Sequence, residues 1–273
     1  MADIYDIRGK VAVITGGATS MGLLTAQNLV ALGAKVVIGD ISNLGPATIA
    51  EINQSANAHV ATFHHCDVAD PAMLHSLIDI AIVEFGQLDI LINNAGILDK
   101  PWQHDPTGES ARRCIDINIR GLIDGTNHAL HYWSQDEKRQ GVVINLSSLA
   151  GHVPMEFMAT YAATKAAIAH YTKCLSTLAP KVRVNAVAPG GVNTNFILAD
   201  HLGLDHFCVT YSGLLEPQTV VDQIIRLIRD TTMAGDVVVI QNNQPPEVCD
   251  RPKSSVVEKM LIELAEANKN KKN

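Results

Sequence analysis

Tyr161 and Lys165 stand four residues apart in a run that reads as helix, Tyr161-Ala162-Ala163-Thr164-Lys165, so both project from one face a turn apart. A phenol with a pKa near 10 is a poor base at neutral pH. A neighbouring ammonium favours its ionised form, and a drop of about three units needs roughly 4 kcal/mol of differential stabilisation. A phenol tuned in this way can take the proton of an alcohol and, in reverse, return it to a developing alkoxide. Ser148 lies thirteen residues before Tyr161 at the end of an apolar run, where its hydroxyl can bond an oxygen on which charge develops. Ser147 is the alternative, but alternation at a strand end points the two in opposite directions. Tyr-xxx-Lys alone is weak, since any surface helix can carry it.

A second constellation lies near the start. The run Val11–Thr15 enters Gly16-Gly17-Ala18-Thr19-Ser20-Met21-Gly22-Leu23 and then a helical stretch. Glycines at such a turn let backbone approach a pyrophosphate, and the helix N-terminus offers free N–H groups and a positive dipole. The next strand ends at Asp40, whose carboxylate can accept both adenosine ribose hydroxyls and would repel a 2′-phosphate. Neither 15–23 nor 41–45 contains Arg or Lys, so NAD is expected over NADP.

The elements that must hold these groups alternate along the chain. Val11–Thr15, Lys35–Gly39, Val60–His64, Ile90–Asn93, Gly141–Leu146, Val182–Ala188 and Asp236–Ile240 read as buried strands. Met21–Leu32, Pro46–Ser55, Pro71–Phe85, Glu109–Ser134, Tyr161–Leu178 and Pro217–Arg229 read as helices. Continuous apolar strands alternating with helices predict an α/β fold, a Rossmann-type doubly wound seven-stranded parallel sheet with helices on both faces. No linker divides it, so residues 1–273 are expected to form one dinucleotide-binding catalytic domain. Within it, residues 195–215 make a connection too long to be ordinary and are read as a lid. In the extension 242–273, Ser255-Val256-Val257-Glu258 is a capping box that predicts an extra C-terminal helix.

Composition agrees with an enzyme and disfavours other classes. Of 273 residues, 47% are apolar and 18% charged, with 28 acidic against 21 Lys or Arg, for a net charge of −7. An acidic chain without a basic block gives no reason to expect nucleic acid or an anionic membrane, and 4% aromatic residues make a poor base-stacking platform. Five scattered cysteines without a CxxC pair, an acidic start and no run of about 18 apolar residues point to a reducing, cytoplasmic setting without an integral membrane segment. His64-His65-Cys66 and His201 to Cys208 hold ligand-type residues at no convincing zinc spacing, so no metal is expected.

Taken in order, Thr15-Gly16 with Gly22, Asp67-Val68, Asn93-Asn94-Ala95-Gly96, Asn118, Ser147-Ser148, Tyr161 with Lys165, and Pro189-Gly190-Gly191-Val192-Asn193-Thr194 resemble the short-chain dehydrogenase/reductase family over residues to about 240. Leu146–Gly151, Val182–Ala186 and Gly213–Pro217 look most like its 15-hydroxyprostaglandin dehydrogenase type. The resemblance implies that Asp67 bonds the adenine amino group, with Val68 packing the ring. It also implies that Asn94 and Gly96 line the adenosine side, with Pro189, Val192 and Thr194 beside the carboxamide and diphosphate. Gly16, Thr19, Ser20, Met21 and Gly22 would form the diphosphate turn. Lys165 would also bond the nicotinamide ribose, and Asn118 would hold a water for proton relay. The family turn, Thr-Gly-xxx-Gly-x-Gly, lacks its middle glycine here. Either Met21 replaces it or one residue is deleted, and the deletion is favoured.

The expected cleft walls are Ile97-Leu98, Trp102, His104, Val153–Met155, Phe157, Met158 and the lid, with no Arg or Lys placed to grip an anion. That favours an apolar secondary alcohol or ketone of terpenoid, steroid or lipid type, and so an NAD-dependent alcohol dehydrogenase or ketoreductase. A redox-neutral, epimerase-type enzyme of this fold and a catalytically idle nucleotide binder are the alternatives. The resemblance further implies a homodimer or homotetramer built on Glu109–Ser134 and Tyr161–Leu178.

Overall fold

The computed structural model describes residues 4–198 and 213–249. Its strands are β1 (Val11–Thr15), β2 (Lys35–Asp40), β3 (Ala61–His65), β4 (Ile90–Asn93), β5 (Gly141–Leu146), β6 (Val182–Pro189), β7 (Val237–Ile240) and β8 (Glu247–Val248). They form one sheet in the order β3-β2-β1-β4-β5-β6-β7-β8. β1 to β7 are parallel, and the sequence reverses its spatial direction between β1 and β4, where a crevice must open at the carboxyl ends.

The helices are α1 (Ser20–Ala31), α2 (Gly45–Ala56), α3 (Pro71–Phe85), α4 (Glu109–Ile115), α5 (Leu122–Ser134), α6 (Ala159–Cys174), a single turn α7 (Asn195–Leu198) and α8 (Pro217–Arg229). α3 shows why they start and stop where they do. Asp70 accepts from the N–H groups of Ala72 and Met73, Pro71 fills the first turn, and Gly86 closes the helix at φ +85°.

Strand residues alternate between two cores although nearly all are buried. Ala12, Ile14, Ile38 and Ile144 pack with Leu29, Ile224 and Leu227 of α1 and α8. Val11, Val13, Leu91 and Val143 pack with Leu74, Leu77, Ile78 and Trp133 of α3 and α5. Burial on both faces is what makes these strands read as continuous apolar runs.

Two features depart from the sequence reading. The sheet has eight strands rather than seven, because Glu247 and Val248 pair antiparallel with Val239 and Val238 at its edge. A two-residue strand after Pro245-Pro246 carries too little alternation to be recognised. The expected single helix 109–134 is instead α4 and α5 joined by a π-helical stretch, Asp116–Gly121. There the side chain of Asn118 ties into the loop after β4, and Gly121 lies so close to Val68 that an added Cβ would sit 2.5 Å from its carbonyl oxygen. The expected C-terminal helix and most of the expected lid lie outside the described residues.

Candidate active site

At the carboxyl ends of β1, β2, β4, β5 and β6 lies a cleft of about 660 Å³. It is lined at one end by Gly16, Thr19, Ser20, Met21, Gly22 and Asp40, with Asp67 and Val68 beside them. Asn94, Gly96, Pro189, Val192 and Thr194 lie along it, and Ser148, Tyr161 and Lys165 close the other end.

The turn after β1 is built for close approach. Gly16 has φ +64°, and a Cβ on Gly22 would lie 2.2 Å from the Gly16 carbonyl oxygen, so only glycine lets α1 start this near the strand. Ser20 adopts φ +50°, a left-handed conformation that favours glycine. This corrects the deletion favoured above: Gly16, Ser20 and Gly22 already carry the family spacing with no residue missing, and Ser20 stands in the middle glycine's place. Thr19, the N-cap of α1, makes no side-chain cap bond, and the first turn holds no acidic residue. The helix therefore presents its first N–H groups and positive end to the cleft, as an anionic diphosphate requires.

Asp40 is fixed by two backbone donors, Ala18 N–H at 3.0 Å and Ser42 N–H at 2.9 Å, one to each carboxylate oxygen. Its remaining lone pairs are available to hydroxyl groups in the cleft. Asn94 donates its amide to the carbonyls of Thr15 and Gly16 at 2.9 and 2.7 Å, which ties the turn to the loop after β4. Asp67 accepts from Ala69 N–H at 3.0 Å and from the Arg113 guanidinium at 2.6 Å. Burial works against its charge, but these hydrogen bonds prevail and hold its carboxyl below the usual range. Arg113, which also lines the cleft, was not expected; it lies on α4 far from Asp67 in sequence, and no local pattern links them.

At the chemical end, Ser147 and Ser148 part company. Ser147 is buried and donates to the Lys165 carbonyl at 2.7 Å. Ser148 accepts from Ala150 N–H at 3.2 Å, donates to the Pro189 carbonyl at 3.4 Å and stands beside the Tyr161 phenol. Lys165 donates its ammonium to the Leu146 carbonyl at 2.7 Å and lies 5.4 Å from the Tyr161 ring centroid. Burial pushes the phenol up to about 12, opposed by the Ser148 hydroxyl, and brings the ammonium down to about 8. Among the protein's own groups burial dominates, so without the positive charge of an oxidised nicotinamide Tyr161 is held as a neutral phenol.

Asn118 does not line the cleft. Its oxygen accepts from Ile97 N–H at 2.8 Å, and its amide donates to the Ile97 carbonyl at 2.9 Å and to Thr164 Oγ1 at 3.2 Å. Both ends of the side chain are spent on supporting the β4 loop and α6. The apolar wall comprises Ile97, Leu98, Leu149, Met155, Met158, Phe196 and Ile197, with the Phe196 ring centroid 6.2 Å from that of Tyr161. Trp102, His104 and Val153, expected in that wall, are exposed outside it, and Leu215 of the expected lid is buried in the core beneath α8.

The family profile described as short chain dehydrogenase matches residues 10–200. The chain belongs to the short-chain dehydrogenase family and is an oxidoreductase of that class. It is similar to human (Homo sapiens) 15-hydroxyprostaglandin dehydrogenase [NAD(+)], 32% identical over 87% of this chain and 93% of that protein. It is also similar to the 3-alpha-(or 20-beta)-hydroxysteroid dehydrogenase of Mycobacterium tuberculosis, 35% identical over 81% and 83%. Among solved structures, 3-ketoacyl-(acyl-carrier-protein) reductase from Brucella melitensis, complexed with NADH, aligns with a TM-score of 0.76 and 27% identity. That alignment covers 87% of this chain and 98% of the other.

Proposed function

We propose that this oxidoreductase uses NAD to interconvert an apolar secondary alcohol and its ketone. The observation that carries the reading is one continuous cleft with Asp40 and a glycine turn at one end and the Ser148–Tyr161 pair under an apolar wall at the other. When bound, the oxidised dinucleotide supplies a hydride acceptor and a positive charge. Gly16, Thr19, Ser20, Met21 and Gly22 would hold its diphosphate at the N-terminus of α1, Asp40 would accept from the adenosine ribose, and Asp67 and Val68 would bound the adenine. Asn94, Gly96, Pro189, Val192 and Thr194 would shape the path between, and Lys165 would bond the second ribose.

Tyr161 takes the hydroxyl proton of the alcohol or returns it to the alkoxide, while Ser148 donates a hydrogen bond to the same oxygen. Asn118 acts behind them, as a support of the loop that carries the apolar wall. Because burial holds the phenol near 12, its ionisation needs a further positive charge in the cleft, and oxidation is expected to accelerate as pH rises. No charged side chain lies among Ile97, Leu98, Leu149, Met155, Met158, Phe196 and Ile197, which suits a hydrophobic substrate body. Both relatives named above are dehydrogenases of hydroxylated compounds, a hydroxyprostaglandin and hydroxysteroids. Among the described residues no helix is long and apolar enough to cross a membrane.

The test is a panel of apolar secondary alcohols with NAD and with NADP, scored by absorbance of the reduced cofactor. Turnover with NAD that disappears in Tyr161→Phe is expected. Nicotinamide binding without turnover of any alcohol or ketone would reject the dehydrogenase reading.

A further inference from the structure

Helix α6 carries Tyr161 in its first turn, yet the residue preceding it, Met158, gives it no side-chain cap. The cap comes from far upstream. Asp99, only 5% exposed, accepts from Thr160 N–H with one carboxylate oxygen at 3.0 Å and from Tyr161 N–H with the other at 2.9 Å. A helix N-terminus is the favourable place to bury a carboxylate, because the free N–H groups and the dipole both face it. Asp99 also follows directly on Ile97 and Leu98, which line the cleft. The same side chain therefore ties the wall that would face substrate to the backbone of the residue that would move its proton.

We propose that Asp99 is a positioning residue, whose carboxylate clamp on the Thr160 and Tyr161 amides fixes the phenol relative to the Ile97–Leu98 wall. The inference rests on the reading of Tyr161 as the proton-transfer group. Two backbone bonds leave the peptide of Tyr161 little room to rotate, so the phenol hydroxyl is delivered to one place along the cleft. Asp99 makes no contact with substrate or cofactor in this role. Its effect must appear in the chemical step rather than in cofactor affinity.

Asp99→Asn keeps one acceptor oxygen and turns an amide donor on the second N–H; Asp99→Ala removes both acceptors. Misplacement on the ångström scale can cost two orders of magnitude in rate, so kcat is expected to fall about tenfold in the Asn variant and about a hundredfold in the Ala variant. NAD affinity should be unchanged, and KM for the alcohol should move much less than kcat. Asp70→Ala is the control for loss of a helix cap, since Asp70 is an exposed side chain that caps α3 through one carboxylate oxygen without touching α6. It should lower thermal stability, as loss of a cap does, while leaving kcat near the wild-type value. Wild-type kcat in either Asp99 variant, or a loss no greater than in the Asp70 control, would overturn the proposal. In the unmodified protein, the Thr160 and Tyr161 amides should exchange slowly for a first helical turn, and fast exchange would overturn it without any variant. If Tyr161→Phe turns over normally, the underlying reading has failed; if that variant is inactive while Asp99→Ala is not, only the positioning role has.

Discussion

Individual side chains in this cleft are set against their surroundings, and the cost can be read as a function of pH. Lys165 is 4% exposed at the end of the cleft, and burial brings its ammonium down from 10.5 to about 8. At about 1.4 kcal/mol per unit, keeping that charge buried opposes folding by roughly 3 kcal/mol below pH 8. Between pH 8 and 10.5 the folded state gives up its proton while the unfolded chain keeps one, so stability rises with pH and the penalty fades. Lys165→Met is therefore expected to be inactive, and its stability relative to wild type should be most favourable at pH 7 and least near pH 10.5. The hydrogen bond to the Leu146 carbonyl is lost as well and reduces the gain. Denaturant unfolding of both proteins at pH 7 and 10 checks this; a Met variant that compares better at pH 10 than at pH 7 contradicts it. At the opposite end, Asp40→Ala removes an acceptor for ribose hydroxyls together with the repulsion of a 2′-phosphate. The ratio of NADP to NAD dissociation constants should narrow by roughly ten- to a hundredfold, the worth of a charged hydrogen bond. Absolute NAD affinity should fall further still, since Ala18 N–H in the turn loses its partner. An unmodified protein that binds NADP more tightly than NAD would remove the premise.

Elements were legible in the sequence where one physical requirement dominated several neighbouring residues. The seven parallel strands announced themselves because both of their faces are buried, which forces unbroken β-branched runs such as Val11–Thr15. The start of α3 was readable from Pro71, which a first helical turn tolerates, while the Asp70 cap and the Gly86 closure emerge from the structure. Features decided by distant partners were hidden: the π-helical break exists because Asn118 reaches the Ile97 backbone and Gly121 crowds Val68, and nothing in Glu109–Ser134 records either neighbour. Asp67 with Arg113 and Asp99 with Tyr161 were invisible for the same reason. The residues expected around the cofactor all converge on one cleft, because they sit at or just past the ends of readable strands or on the early turns of α1 and α6. The glycine turn was misjudged by motif arithmetic, and backbone geometry explains it. Ser20 occupies a left-handed conformation that costs a residue with a Cβ about 1–2 kcal/mol, while glycine loses part of that advantage to chain entropy. Ser20→Gly should thus stabilise the fold by about 0.5–1 kcal/mol, visible as a raised melting temperature, without weakening NAD binding. A lowered melting temperature would show that the serine side chain makes a stabilising contact of its own.

For the whole molecule, the decisive question is what covers the outer side of the helix that holds the chemistry. Tyr161, Thr164 and Lys165 lie on the buried face of α6, toward the cleft and the sheet. On its opposite face Ala163, Ala166, Ala167 and His170 are exposed, at the i, i+3, i+4 and i+7 spacing of a single stripe. Small side chains there add little to solubility or helix packing within one chain, but they let a second helix approach closely. We expect a homodimer or homotetramer in which this stripe meets its copy across a two-fold axis, joined by the outer faces of α4 and α5. A self-complementary contact of that kind places residue 167 near its own symmetry mate, so one charge introduced there is felt twice. Sedimentation at micromolar concentration should give a multiple of the 273-residue chain's mass, and Ala167→Arg should reduce it to that of one chain. Because α6 would then lose its outer support while keeping its inner contacts, turnover should fall with dissociation and recover as protein concentration is raised. A wild-type protein that sediments as a single chain, with full activity, would assign the stripe to solvent instead.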